Sequence, residues 1–218
     1  MLHLPDHLQT RPHTLSGAIL PRSFYLGRDV VELSRALLGC YLVAKNDETE
    51  KTAGMIVETE AYSGTGDKAC HAHQNRFTKR TKVMFDNGGV AYVYLCYGIH
   101  HLFNIVTNTE GNADAILVRA IEPVAGLETM RQRRNMDKIK PKMSNGPGKL
   151  TKALGITVDD YGYPLFAGQH IWIEEKSTPV KASSIGTGPR VGVDFAGEDA
   201  KKNWRFYVKD NPWVSPAK

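Results

Sequence analysis

Two carboxylates and a tyrosine stand at alternate positions in the stretch "GMIVETEAYSG": Glu58, Glu60 and Tyr62. In an extended strand the residues i and i+2 share a face. Ile56, Glu58, Glu60 and Tyr62 are therefore expected on one face, with Met55, Val57, Thr59 and Ala61 on the opposite, core-facing one. Carboxylates ~6.5–7 Å apart repel, which raises the proton affinity of one of them and poises it for proton transfer. The plainer reading is a solvent-facing strand surface, where glutamates are ordinary.

A second group follows in "HAHQNRFTKRTK", with His71 and His73 beside Arg76, Lys79, Arg80 and Lys82. Histidines two apart could share a metal with Glu60, but no second spaced His/Cys pair completes such a site, so none is expected. A neutral imidazole used for hydrogen bonding or stacking is the simpler role. In "AYVYLCYGIHHLFN", Tyr92, Tyr94 and Cys96 share one strand face, and Tyr97 falls beside Gly98 at a turn. A tyrosine at a hairpin tip is poorly placed for a core and well placed to protrude. Protruding aromatics beside basic clusters can wedge into a base stack. "SNGPGK" sets Lys149 near the start of a helix, which serves either as a plain helix start or as an anchor for a phosphate; it lacks P-loop spacing.

The elements around these residues are readable from periodicity and punctuation. "RDVVELSRALLGC" reads as a helix capped by Asp29, with Val30, Leu33, Leu37 and Leu38 inward and Gly39 at its end. "GLETMRQRRN" is a short helix with Leu127 and Met130 inward and its arginines outward. "SNGPGKLTKALGI" is another, capped by Ser144 or Asn145, with Leu150 and Leu154 on one face and Gly155 closing it. Strand signals lie in "GCYLVA", "GMIVETEAY", "VAYVYLC", "HLFNIVT", "DAILVRAI", "HIWIEE", "RVGVDF" and "WRFYV". Helices inserted among strands point to an α+β domain around a mostly antiparallel sheet, with a protruding hairpin.

The whole chain agrees with one domain. Its 218 residues carry no repeat, low-complexity segment or long Gly/Ser linker, so 1–218 reads as a single unit, less ordered over about 1–20 and 214–218. No apolar run reaches the ~20 residues of a membrane helix, and the N-terminal histidines and prolines do not make a signal peptide. A cytoplasmic protein is expected, associated with the nucleoid in a bacterium or nuclear in a nucleated cell. Cys40, Cys70 and Cys96 form no C-x-x-C pair, which excludes a disulfide framework and a zinc ribbon. The net charge of +5 is unevenly spread, with eight basic residues against one acid from Arg131 to Lys152. Such clusters follow a phosphate backbone or form an ordinary solvated face.

Taken together these segments resemble the alkyladenine (3-methyladenine) DNA glycosylases of the mammalian and Bacillus type. The matching stretches are "IVETEAYSG", "DKACHAH", "AYVYLCYGIHHLFNIV", "AILVRAIEP", "GLETMRQRR", "SNGPGKLTKALGI", "PRVGV", "FAGE" and "RFYVKDNPWVS", in family order. The resemblance implies a monofunctional, cofactor-free enzyme that flips damaged purines out of duplex DNA and hydrolyses the N-glycosidic bond, without strand cleavage. It makes Glu60 the base that activates water, Arg119 a residue that places it and Val191 a holder of it through the backbone carbonyl. Tyr62, His71, Tyr94 and Asn104 become the base pocket, Asn104 crowding the 2-amino group of guanine. Tyr97 becomes the intercalating wedge, and Arg76, Lys79, Arg80, Lys82 and Lys149 candidates for the DNA backbone. A monomer is expected. Three other readings compete: a non-catalytic nucleic-acid-binding protein using the same surface, a metal hydrolase of His71, His73 and Glu60, and a carbohydrate glycosidase using Glu58 and Glu60.

Overall fold

The computed structural model describes residues 17–27, 29–45, 51–176 and 178–216. In chain order the strands are β1 (Tyr41–Lys45), β2 (Lys51–Tyr62), β3 (Ala91–Cys96), β4 (His100–Thr107), β5 (Asp114–Ala125), β6 (Ile171–Glu174), β7 (Ile185–Gly188) and β8 (Arg205–Val208). The α-helices are α1 (Val30–Ala36), α2 (Leu127–Arg133) and α3 (Pro147–Leu154). The sheet runs β3-β4-β5-β2-β1-β6, with β8 on β2 and β7 on β8, and each of these pairs is antiparallel. This is the expected α+β arrangement. No helix among the described residues is long and apolar enough to cross a membrane.

Long strand β2 is shared along its length. Its first half pairs with β1, while Glu58–Glu60 pair with β8, and β5 lines the other side throughout. Three irregularities break the β2–β5 ladder, the first between Ala53↔Ala125 and Gly54↔Pro123 and the other two beside the glutamates. Val57 is an extra residue on β2, between the pairs Ile56↔Ile121 and Glu58↔Ala120, and Arg119 is an extra residue on β5, between Glu58↔Ala120 and Thr59↔Val118. A bulge shifts the side-chain phase and re-aims the residue it carries. Ile56 consequently lies in the main core together with Val57, not beside Glu58 as strict alternation implies.

Beyond the bulges alternation holds and separates two faces. Val93, Phe103, Ile105, Ile116, Val118 and Ala61 face the main core with Val30 and Leu33 of α1 and Leu150 and Leu154 of α3. Tyr92, Tyr94, Asn104, Leu117, Glu60 and Tyr62 occupy the intervening positions. One row crosses five strands in register: Tyr92↔Asn104↔Leu117↔Glu60↔Arg205. At ~4.8 Å between strands, Glu60 and Asn104 are about 10 Å apart along that row.

The helices that back the sheet follow their sequence signals in part. Asp29 caps α1, its Oδ1 accepting from Val31 N at 2.7 Å and Glu32 N at 3.2 Å. Helix α3 starts at Gly146 without a side-chain cap, because Ser144 donates to Ile121 O and Asn145 Oδ1 accepts from Lys149. Of the arginines in this segment, Arg131 stays at the surface paired with Glu128, as expected, while Arg133 and Arg134 turn inward. Arg133 donates to Leu154 O at 2.9 Å, which satisfies the C-terminal carbonyl of α3, and Arg134 donates to Met143 O at 3.0 Å. "RVGVDF" is not a strand: Arg190 is drawn into a buried ion pair, Gly192 takes φ +78°, and Asp194–Lys201 is a 3-10 helix. The strand is instead β7, "IGTG", whose glycines hide the signal. A Cβ on Gly186 would collide with the Tyr207 ring across the β7–β8 pair.

Candidate active site

Glu60 is the deepest group of the site, fully buried at the centre of the sheet row. Its Oε2 accepts from the Tyr62 hydroxyl at 2.7 Å, and its Oε1 accepts from the Val191 amide at 2.7 Å. Arg119 Nη1 lies 3.2 Å from Oε1. Burial pushes the Glu60 carboxyl above the usual carboxylate range, against the opposing pull of Arg119, Tyr62 and the Val191 amide. A carboxylate held at a raised pKa but still hydrogen-bonded is suited to take a proton.

Glu58, two residues away and also fully buried, has a different environment. Its Oε1 accepts from Arg119 Nε at 3.3 Å, Arg205 Nη1 at 3.0 Å and the Ser215 hydroxyl at 2.9 Å, and its Oε2 from Ser215 N at 2.8 Å. With four donors it is a structural acceptor and has no capacity to flank a scissile bond, which removes the paired-carboxylate glycosidase reading. Two buried carboxylates meet two buried arginines here, so the charges balance. The β5 bulge turns Arg119 so that its fork bridges both glutamates.

Tyr62 is held by a second buried pair. The Arg190 guanidinium binds Asp67 through both nitrogens, at 2.5 and 2.8 Å, donates to Ala61 O at 2.9 Å, and lies 4.8 Å from the Tyr62 ring centroid. The same Asp67 anchors the loop that carries His71, accepting from Ala69 N at 3.2 Å.

A cavity of about 420 Å³, within the range of small-ligand pockets, opens above this floor. Tyr62, His71, Tyr92, Tyr94, Asn104 and Arg119 line it. His71 Nδ1 is 2.8 Å from the Tyr92 hydroxyl, and its ring meets that of Tyr94 edge-on at 4.8 Å. Burial and the neighbouring Arg80 and Arg76 charges depress His71 to about 4, so it is a neutral imidazole at pH 7. Asn104 is buried and fixed, its amide donating to Tyr92 O at 3.1 Å. His71 and His73 diverge: His71 faces the tyrosines, while His73 Nδ1 is buried without a partner among the described residues.

The hairpin of β3 and β4 forms the rim. Tyr97 is 93% exposed and takes φ +51°, followed by Gly98 at +70°, a tight reversal closed by Ile99 N donating to Cys96 O. A tyrosine in the left-handed region costs of order 1–2 kcal/mol, and this one recovers nothing by burial.

The basic residues divide. Arg76, Lys79, Arg80 and Lys82 are exposed on one loop, while Lys149 turns back on Asn145. Arg80 also reaches the pocket, donating to the Tyr92 hydroxyl at 3.2 Å with its guanidinium 4.5 Å from the Tyr94 centroid. The structure thus brings Tyr62, His71, Tyr94, Asn104, Arg119 and Val191 around one cavity, with Tyr97 at its edge and Glu60 buried behind Tyr62, Arg119 and Val191. Val191 engages Glu60 through its amide N–H. Sequence reasoning missed Arg190, Asp67, Arg205 and Ser215, and it gave Tyr92 no role beyond its strand face. The available signal was charge within apolar strands, as with Arg205 in "NWRFYV".

Comparison with known proteins places this chain in a class of DNA-repair enzymes that act on N-glycosyl bonds. The model of the family described as "Methylpurine-DNA glycosylase (MPG)" matches residues 23–212, and the chain belongs to that family. A Bacillus licheniformis protein is 46% identical over 196 residues, covering 90% of this chain and 96% of the relative. A Bacillus subtilis protein gives the same identity and coverage, and one from Natranaerobius thermophilus is 42% identical over 192 residues, 88% of this chain and 96% of its own. Each relative bears the name "Putative 3-methyladenine DNA glycosylase".

Proposed function

We propose that the protein removes damaged purines from duplex DNA by hydrolysing their N-glycosidic bonds with water activated by Glu60. The observation that carries this reading is a fully buried carboxylate, hydrogen-bonded from beneath to Tyr62 and Val191 in the floor of an aromatic cavity whose rim bears a 93%-exposed tyrosine. A base inside a duplex is out of reach of such a floor, so the nucleotide is extruded into the cavity and Tyr97 fills the gap. Alkylated purines carry positive charge, and the faces of Tyr62 and Tyr94 attract a cation by ~0.5–2 kcal/mol. The fixed Asn104 carboxamide, beneath the base, crowds the 2-amino group of guanine.

Glu60 takes a proton from water, while Arg119 and Val191 place that water against the sugar carbon. A cationic alkylpurine leaves as a neutral base, so one proton acceptor suffices for 3-methyladenine, the substrate in the relatives' names. Hypoxanthine and ethenoadenine leave as anions unless protonated, and are expected to react more slowly. Among the described residues no lysine lines the cavity, which supports base removal without the Schiff base that strand cleavage needs. The protein works on this reading as a cofactor-free monomer on DNA in the cytoplasm or nucleoid.

The test is incubation of the purified protein, in EDTA, with alkylated DNA and with duplexes carrying one hypoxanthine or one ethenoadenine. Free base with intact strands is expected. Tight DNA binding with no base released from any substrate would leave only a binding protein.

A further inference from the structure

Beside the base cavity lies a second cleft of about 350 Å³, which shares Ala69, Cys70, His71, Arg80 and Phe195 with it. Lys68, Arg76 and Arg80 also line this cleft, and among the described residues no carboxylate does. The buried, unpartnered Nδ1 of His73 belongs to another of its lining residues.

Phe195 stands on the ridge between the two cavities, 75% exposed. The backbone that carries it is pinned, because Val193 and Ala196 on either side are buried against Ala69. Its ring is therefore held in solvent while its neighbours are anchored. A single exposed apolar side chain is unremarkable by itself. An aromatic ring fixed at the mouth of a cationic cleft, next to a nucleobase-sized cavity, has the makeup of a single-stranded nucleotide contact: a stacking face with charges for the phosphate.

We propose that this cleft is a second nucleotide subsite, which takes the nucleotide neighbouring the extruded one, with its base against Phe195 and its phosphate among Lys68, Arg76 and Arg80. The inference rests on the glycosylase reading above and deepens it: Tyr97 enters the stack, and Phe195 holds the strand on the other rim of the pocket. Because Phe195 is exposed, replacing it leaves the fold intact, and Phe195→Leu controls for apolar bulk without a ring.

The experiment measures the enzyme concentration that half-saturates single-turnover base release from a duplex with one hypoxanthine. Two further duplexes replace the 5′ or the 3′ neighbour of the lesion by a baseless tetrahydrofuran spacer. Phe195→Ala and Phe195→Leu are expected to raise the half-saturating concentration at least about five-fold on the intact duplex, the lower end of one stacked base. On one of the spacer duplexes that difference is expected to vanish. Lys68→Ala combined with Arg76→Ala is expected to lower the salt dependence of half-saturation by about one phosphate contact or more. A Phe195 effect below two-fold, one that persists on both spacer duplexes, or an unchanged salt dependence would overturn the subsite. If the wild-type protein releases no base from any lesion, the glycosylase reading fails, and the subsite with it.

Discussion

Ser215 donates to Glu58 twice, from its backbone nitrogen to Oε2 at 2.8 Å and from its hydroxyl to Oε1 at 2.9 Å. That clamp, with Arg205, fixes Glu58, and Glu58 in turn holds Arg119 so that Nη1 reaches Glu60. Two glutamates at strand spacing i,i+2 therefore divide their duties. One orients an arginine, and the other keeps an environment suited to proton transfer.

Glu58→Gln should lower stability by about 3–5 kcal/mol, since it leaves Arg119 and Arg205 short of a buried counter-charge. Urea denaturation would read this. The negative charge of Glu58 also helps raise the Glu60 carboxyl, so the acid limb of base release in this variant should move to lower pH. An unchanged denaturation midpoint, or an acid limb moved to higher pH, would contradict the assigned role.

Base release by the wild-type protein should fall on acidification with an apparent pKa above 4.5, the ordinary value for a glutamate. Only the ionised Glu60 accepts a proton from water, and burial makes ionisation harder, so activity is present above the raised pKa and lost below it. A rate profile flat down to pH 4.5 would refute Glu60 as the base.

His71 sits at about 4, below its ordinary 6.5, so the folded protein binds fewer protons there than the unfolded chain between those values. Its contribution to stability is complete above pH 6.5 and declines as pH falls toward 4. Comparing thermal midpoints of the wild-type protein and His71→Gln across that window should show a shallower pH slope in the variant. Equal slopes would mean the imidazole is not held neutral.

Tyr97→Gly should keep or raise stability, by up to about 1 kcal/mol, because glycine accepts the left-handed backbone at this position without strain. Affinity for lesion-containing duplex should nonetheless fall at least about five-fold through loss of the stacking ring. A variant that is destabilised yet binds normally would assign Tyr97 to the fold instead.

Much of this site was legible because antiparallel strands alternate. Once Tyr92, Tyr94, Asn104 and Glu60 are placed on strands, one face gathers them, as the register confirms. What sequence could not convey was phase. Nothing in "MIVETE" marks Val57 as an extra residue, and nothing in "LVRAIE" marks Arg119 as another, since bulges arise from how two strands meet. Long-range electrostatics were hidden for a similar reason. Asp67 and Arg190 are 123 positions apart, and Glu58 and Ser215 are 157 apart, so only the folded chain shows them as partners. The glycines of β7 conceal a strand, while "RVGVDF" imitates one whose arginine has a buried partner elsewhere.

The central claim is that a buried Glu60 activates water against an extruded damaged purine. Single-turnover release of hypoxanthine from a duplex, by wild-type protein and by Glu60→Gln with binding measured in parallel, tests it most directly. The account predicts release by the wild-type protein, a rate lower by about 10²–10⁴ in Glu60→Gln, and comparable lesion binding by both. Release at the wild-type rate by Glu60→Gln would contradict it.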